Sequence, residues 1–277
     1  DRVRRAVNMP DQDGHFALWQ GGMEPNIPVG SESGVKRSME RAVAGAVREQ
    51  SEGASGKWVA HWKMVHIVRP VWEKIGETNQ LGRSFPRLTY TREDVKGLTL
   101  LGKAPRTIRG ARNLLSVALQ YGNAFGQGYQ AAALKSADDF GNDDILYLME
   151  DMATGEIRVS ILWEWIHKGA RLTEDDPDTG LKSGMLFTPE LFGKLLAEEF
   201  EKLLAAADRD VHDDSKKTTL LIAREIVRTC VHDPVKIPWY IDLLNFNLNN
   251  MSPGIAGGRI FQYMETLKKD ERIISTN

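Results

Sequence analysis

Val35, Met39, Val43 and Val47 recur every fourth position through VKRSMERAVAGAVREQ (35–50), with charged residues between them, and predict one apolar face of an amphipathic helix. The segment before it, FALWQGGMEPNIPV (16–29), reads as a short buried strand running into a loop. Gly21 and Gly22 permit close backbone approach, and Pro25 and Pro28 stop any helix. After a Gly/Ser turn over 51–56, KWVAH (57–61) is a second compact strand. Strand, helix and strand at this spacing make a βαβ unit, which implies a parallel sheet with its functional face at the strand C-terminal ends. One such unit does not make a stable sheet, so further strands are expected, either elsewhere in the chain or before residue 1.

Beyond residue 62 the texture becomes helical. MVHIVRPVWEKI (64–75) predicts a helix kinked at Pro70, and residues 76–105, rich in Gly, Pro and Arg, read as a domain junction. Helical periodicity then covers 107–121, 154–168, 188–207, 215–231 and 259–269, with no repeat of solenoid length. The acidic loop GARLTEDDPDTGLKSG (169–184) reads as a solvated hairpin or turn; a calcium loop needs a full twelve-residue ligand pattern. The pattern as a whole predicts an α/β fold class: the end of an α/β domain followed by a mostly helical one.

One step stands out. ILYLM (145–149) is expected to be buried or nearly so, and the four-residue spacing of Ile157, Ile161 and Trp165 predicts a helix over roughly 154–167. Glu150 and Asp151 therefore fall at that helix's start. A carboxylate there meets free amides and the positive end of the helix dipole, worth about 0.5–2 kcal/mol. The same position also holds a carboxylate ionised, aimed and partly desolvated, as a general base requires. Local sequence leaves both readings open.

Composition narrows the partners. The chain has 277 residues, 42% hydrophobic and 27% charged, enough for one large or two smaller globular domains. A formal charge of −2 gives no reason to expect nucleic acid or an anionic membrane. The single Cys230 excludes an internal disulfide and fits the cytoplasm or another reducing compartment. No apolar run reaches the roughly 20 residues of a membrane span. The opening residues lack a secretory apolar core, and Ser275-Thr276-Asn277 is not a peroxisomal tripeptide.

Other motifs read as structural. Gly97 to Lys103 matches a phosphate loop except that Ala104 replaces the hydroxyl residue that would hold magnesium. Arg106, Arg109 and Arg112, three apart at a helix start, suit ion pairs better than a ligand phosphate. Gly122, Gly126 and Gly128 make no dinucleotide fingerprint without a preceding strand. His61 and His66 straddle a strand-to-helix change, which argues against zinc. Cys230 belongs to the core, and of Trp163 and Trp165 one packs while the other is half-exposed.

Four segments carry a family resemblance. LMEDMATGEIRVSILWEWI (148–166) resembles the malate synthase segment Leu-Met-Glu-Asp-Ala-Ala-Thr-Ala-Glu-Ile-Ser with its Trp-containing helix. Gly21-Gly22-Met23 with Ile27-Pro28 resembles the family's Gly-Gly-Met strand and Ile-Pro loop. Gly56-Lys57-Trp58-Val59-Ala60-His61 resembles its Gly-Thr-Trp-Val-Ala-His strand, and Ala223-Arg224-Glu225-Ile226 a helix near its C-terminus. The likeness is weaker over 76–105, 120–144 and 240–277.

The resemblance implies a TIM-type (β/α)8 barrel, here its last strands over 1–62, a connecting segment over 63–105, and a helical C-terminal domain over 106–277. It implies condensation of acetyl-CoA with glyoxylate and water to malate and CoA, with Asp151 as the base. Glu150 is either a helix-end residue or a support behind it, and Gly22, Met23 and His61 are cofactor-binding positions. Magnesium is implied as cofactor with its ligands upstream of residue 1, so the chain is expected to be the C-terminal part of a longer enzyme, to lack metal ligands and to be inactive alone. Trp62 stands where the family has Pro near the CoA arm, and Arg158-Val159 where it has Ser-Arg, altering the charge of the helix surface one turn from Asp151. These departures keep open a truncated or degenerate helical module with a binding or structural role. A lyase of the related CoA-ester barrels is a further alternative, though such enzymes commonly lack the helical domain.

Overall fold

Gly21 lies in β1 (Gln20–Glu24) against the Glu49 carboxylate, which would have to move to admit a Cβ there. The structure, a computed structural model, describes residues 7, 10–81, 104–209 and 214–237. Ser31 Oγ accepts from the Gly34 amide at 3.1 Å and opens α1 (Glu32–Ser51), which returns the chain to β2 (Gly56–Val59). β2 pairs with β1 in parallel, Gln20 opposite Gly56 and Gly21 opposite Lys57, so the βαβ reading holds. A 3-10 turn (Trp62–Met64) leads into α2 (Val65–Glu73), which carries Pro70 inside it.

The helical part follows. Thr107 Oγ1 accepts from the Gly110 amide at 2.9 Å and opens α3 (Ile108–Gly126). Short strands β3 (Ala132–Leu134) and β4 (Leu148–Glu150) precede α4 (Met152–His167), α5 (Pro189–Arg209) and α6 (Asp214–His232). The periodicity therefore placed all four of these helices within a few residues. The helix expected over 259–269, the Gly97–Lys103 motif and residues 82–103 of the junction lie outside the described residues.

The chain divides into two compact units, Asp1–Ala104 with Asp143–Met149, and Pro105–Asn142 with Glu150–Asn277. In the first, α1 packs on α2 through Ala42, Ala46, Met64, Val68 and Val71. Residues 143–149 join it through the Ile27 amide on the Tyr147 carbonyl (3.2 Å) and the Met149 amide on the Pro25 carbonyl (2.8 Å). In the second, α3 is central and meets α4, α5 and α6 around Leu115, Leu119, Leu162, Phe192, Phe200, Ile222 and Ile226. The acidic loop is a hairpin, with the Asp176 amide on the Leu181 carbonyl at 2.8 Å and the Thr179 amide on Asp176 Oδ2 at 2.9 Å. Cys230 is buried in this core, where burial pushes its thiol well above the usual range. The architecture is α/β; among the described residues the parallel sheet has two strands and no closed barrel forms.

Packing decides which faces are buried. On α1 the fully buried stripe is Gly34, Ser38, Ala42 and Ala46, one residue out of step with the valines, because small side chains let neighbouring backbone come closest; Val47 is exposed. On α4 the inward residues are Val159, Leu162 and Trp163, while Ile157 is 55% exposed. Within Ile145 to Met149 Leu146 is buried, Tyr147, Leu148 and Met149 are half-buried and Ile145 is exposed, while the charged Glu150 that follows is sealed from solvent. The Trp pair behaves as expected, Trp163 buried and Trp165 half-buried.

Candidate functional site

The corner between β4 and α4 is built by hydrogen bonds that the local sequence supplies. Asp151 is the N-cap of α4, in extended backbone (φ −127°, ψ −174°). Its Oδ1 accepts from the Thr154 amide at 3.0 Å, and Thr154 Oγ1 accepts from the Asp151 amide at 2.8 Å, a reciprocal capping box. Among the described residues Oδ2 accepts no hydrogen bond, and the residue is half-buried. The capping reading is thus correct, and it leaves one carboxylate oxygen outside the cap.

Behind Asp151, Glu150 is 3% exposed and takes Arg158 Nη2 on Oε1 at 2.6 Å. Arg158 Nη1 reaches Asn113 Oδ1 on α3 at 3.0 Å. Arg158 is therefore turned inward and paired, which corrects the expectation that it alters the charge of the helix surface. Nothing in the local pattern pointed to Asn113, since the contact joins residues 45 positions apart.

Tyr121, on the buried face of α3, donates to the Gln130 carbonyl at 2.9 Å. Burial, with the Asp151 charge adding, pushes its phenol up to about 12. An unfolded tyrosine ionises near pH ~10, so folding holds this proton more tightly. Its contribution to stability is complete below pH ~10 and is lost as pH rises from there towards 12. A spectrophotometric phenolate titration should show Tyr121 ionising late, its step identified by loss in Tyr121→Phe, and Asp151→Asn should bring it earlier.

In the first unit, Gly22 on β1 has open space where a Cβ would stand, and its carbonyl accepts from Lys57 Nζ at 2.9 Å. Lys57 also pairs with Glu49 at 2.8 Å, which holds the two strands over α1. Gln20, Gly21, Gly22 and Trp58 line an open cavity of about 520 Å³ with Leu18. Met23 lies on the same strand. His61 caps the 3-10 turn, its Nδ1 accepting from the Lys63 amide at 3.2 Å, and stacks on Trp62 at 5.6 Å. That bond occupies Nδ1, and among the described residues no hydrogen bond engages Nε2. Gly22, Met23 and His61 belong to the first unit and Asp151 to the second.

The arginine series is largely structural. Arg112 pairs with Glu198 at 2.5 Å and with the wholly buried Glu199 at 2.9 Å, Arg109 lies 3.6 Å from Asp139, and Arg106 Nε donates to the Arg171 carbonyl at 2.8 Å. Arg109 and Arg112 line a cleft of about 410 Å³ with Asp138, Asp139, Asp176, Asp178 and Lys202, where opposite charges answer one another.

The expectation that this chain lacks metal ligands is overturned. Asp11, Asp13 and His15 bring three possible ligand atoms within 4.8 Å of one another. Sequence reading missed them because it sought ligands on barrel strands, whereas Asp-x-Asp-x-His gathers them in a turn: Asp11 Oδ1 accepts from the amides of Asp13 (2.9 Å) and His15 (2.8 Å). Those bonds, with the His15 amide first, hold the Asp11 carboxyl below its ordinary value. The donor set does not fit magnesium well. That ion prefers oxygen, the set includes an imidazole, and all three groups stand in solvent with Asp11 Oδ2 already 3.3 Å from His15 Nδ1. Among the described residues no helix is long and apolar enough to cross a membrane.

Comparison with known proteins agrees with the geometry of the α3–α6 unit. The family model "Malate synthase, C-terminal" matches residues 106–243. A malate synthase of Myxococcus xanthus is 33% identical over 189 residues, 66% of this chain and 30% of that protein. A bifunctional glyoxylate cycle protein of Caenorhabditis elegans is 29% identical over 203 residues, 73% of this chain and 19% of that protein. Malate synthase A of Escherichia coli is 30% identical over 193 residues, 68% of this chain and 31% of that protein. The chain thus spans less than a third of the length of these relatives. The residues that build the capped carboxylate fall inside the matched region, and the chain belongs to the malate synthase family, corresponding to its C-terminal domain.

Proposed function

We propose that the protein carrying this chain condenses acetyl-CoA with glyoxylate and water to give malate and free CoA, with Asp151 as the general base. The observation that carries this reading is the carboxylate at the start of α4: Oδ1 is anchored by the Thr154 amide and Oδ2 is left to take a proton. A thioester methyl group is a very weak acid, and it ionises only when a positioned base takes the proton as the enolate forms. The C–H electron pair becomes the enolate, whose carbon attacks the glyoxylate aldehyde, and hydrolysis of the malyl thioester releases CoA.

In the same reading, residues 1–62 supply the last strands of a (β/α)8 barrel, 63–105 connect, and 106–277 form the helical domain. The parallel β1–β2 pair with its returning helix supports this, and the open backbone at Gly22, with Met23 and His61, suits contact with acetyl-CoA. A cytoplasmic or otherwise reducing compartment goes with it. Thiol release from acetyl-CoA in the full-length protein, with magnesium added, tests the reading. Release that requires glyoxylate is expected; release no faster than background with both substrates present refutes it. Trp62, 74% exposed where the family carries Pro, favours the alternative of a binding module, which predicts no turnover in the same assay.

A further inference from the structure

We propose that Arg158 is a positioning residue for Asp151, acting through Glu150; this rests on the reading of Asp151 as the base. Glu150 and Asp151 are neighbours in extended backbone, where successive side chains point to opposite sides. Anchoring one inward therefore turns the other outward. The anchor is Arg158: Nη2 holds Glu150 Oε1 at 2.6 Å and Nη1 holds Asn113 Oδ1 on α3 at 3.0 Å. Arg158 lies on the helix that Asp151 caps, so the guanidinium ties the last residue of β4, the body of α4 and α3 into one corner.

As a device for stability the pair is poor. Among the described residues Glu150 Oε2 and Arg158 Nε are buried without a hydrogen-bond partner, so the ions meet at one point and not through a two-pronged fork. Two well-packed apolar side chains would do as well or better for the fold. What they would not do is fix the rotation of residue 150, and with it the direction of the Asp151 carboxylate. A reacting group misplaced by about 1 Å loses on the order of 10²-fold in rate.

The test compares Arg158→Met, Arg158→Lys and the double variant Glu150→Leu/Arg158→Met in the full-length protein. Arg158→Met should lower kcat by about 10- to 100-fold, with KM for acetyl-CoA and glyoxylate within about twofold, because aim is lost and binding is not. Arg158→Lys, which keeps the charge on Glu150, should restore most of the loss. The double variant removes both ions, so it should melt near the wild-type temperature and still show the low kcat. It decides the matter should Arg158→Met fail to fold. Wild-type kcat in the double variant, or a raised KM at unchanged kcat, overturns the proposal. A wild-type protein that releases no thiol refutes the condensation reading instead. Positioning is then read from amide hydrogen exchange: at Thr154 the double variant should exchange about 10-fold faster, with Leu162 unchanged, and equal exchange at Thr154 overturns it.

Discussion

Asp151→Asn is expected to lower glyoxylate-dependent thiol release by about 10³-fold while leaving the melting temperature nearly unchanged. The reasoning separates the two jobs of one side chain. As N-cap, Asp151 presents Oδ1 to the Thr154 amide, and an asparagine carbonyl does this about as well. As base, it must take a proton, which an amide does not do at neutral pH; loss of a general base typically costs about 10²- to 10⁴-fold. Asp151→Ala removes both functions and should add about 1 kcal/mol of destabilisation, visible in urea unfolding. If Asp151→Asn turned over at near the wild-type rate, the residue would be a cap and nothing more. Steady-state kinetics beside a thermal melt of each variant gives the answer.

Arg112→Met should destabilise the protein by about 3 kcal/mol, the largest effect expected from one surface-derived charge. Glu199 is wholly buried between α5 and α3, and its Oε1 is shared by Arg112 Nη1 at 2.9 Å and Lys202 Nζ at 2.7 Å. Removing the guanidinium leaves a buried carboxylate on one lysine, with Oε2 already unpartnered among the described residues. Burial works against the Arg112 charge, yet the bonds to Glu198 and Glu199 outweigh it and hold the group above its ordinary value. Lys202 keeps part of the compensation, which places the loss at the low end of the usual cost of about 3–5 kcal/mol for breaking such a pair. The double variant Arg112→Met/Glu199→Leu should recover most of it, since two apolar side chains leave no unpaired charge inside. Urea midpoints at constant m-value measure both, and a loss under about 1 kcal/mol in the single variant would show that Glu199 is already relieved by water.

Element positions were legible in the chain because they depend on near neighbours. Ser31, Thr107 and Asp151 each stand three residues before the amide they cap, and the apolar spacing of 188–207 and 215–231 marks α5 and α6 within a few residues. The capped carboxylate at 151 was equally readable, since a capping box is a four-residue object.

Faces and pairings were not legible, because they depend on what comes from elsewhere. Ile157 belongs to the apolar series that marks α4 and yet is exposed, whereas Glu150 looked like a helix-end charge and is sealed inside against Arg158 and Asn113. The valines of α1 give way to Gly34, Ser38, Ala42 and Ala46, since closest approach selects for small volume as well as apolarity. The Asp11–Asp13–His15 cluster arises from a turn whose sequence carries no periodic signal. Hydrophobic period states which residues avoid water; only packing against particular neighbours settles which of them do, and which charges are drawn in because a partner is already waiting there.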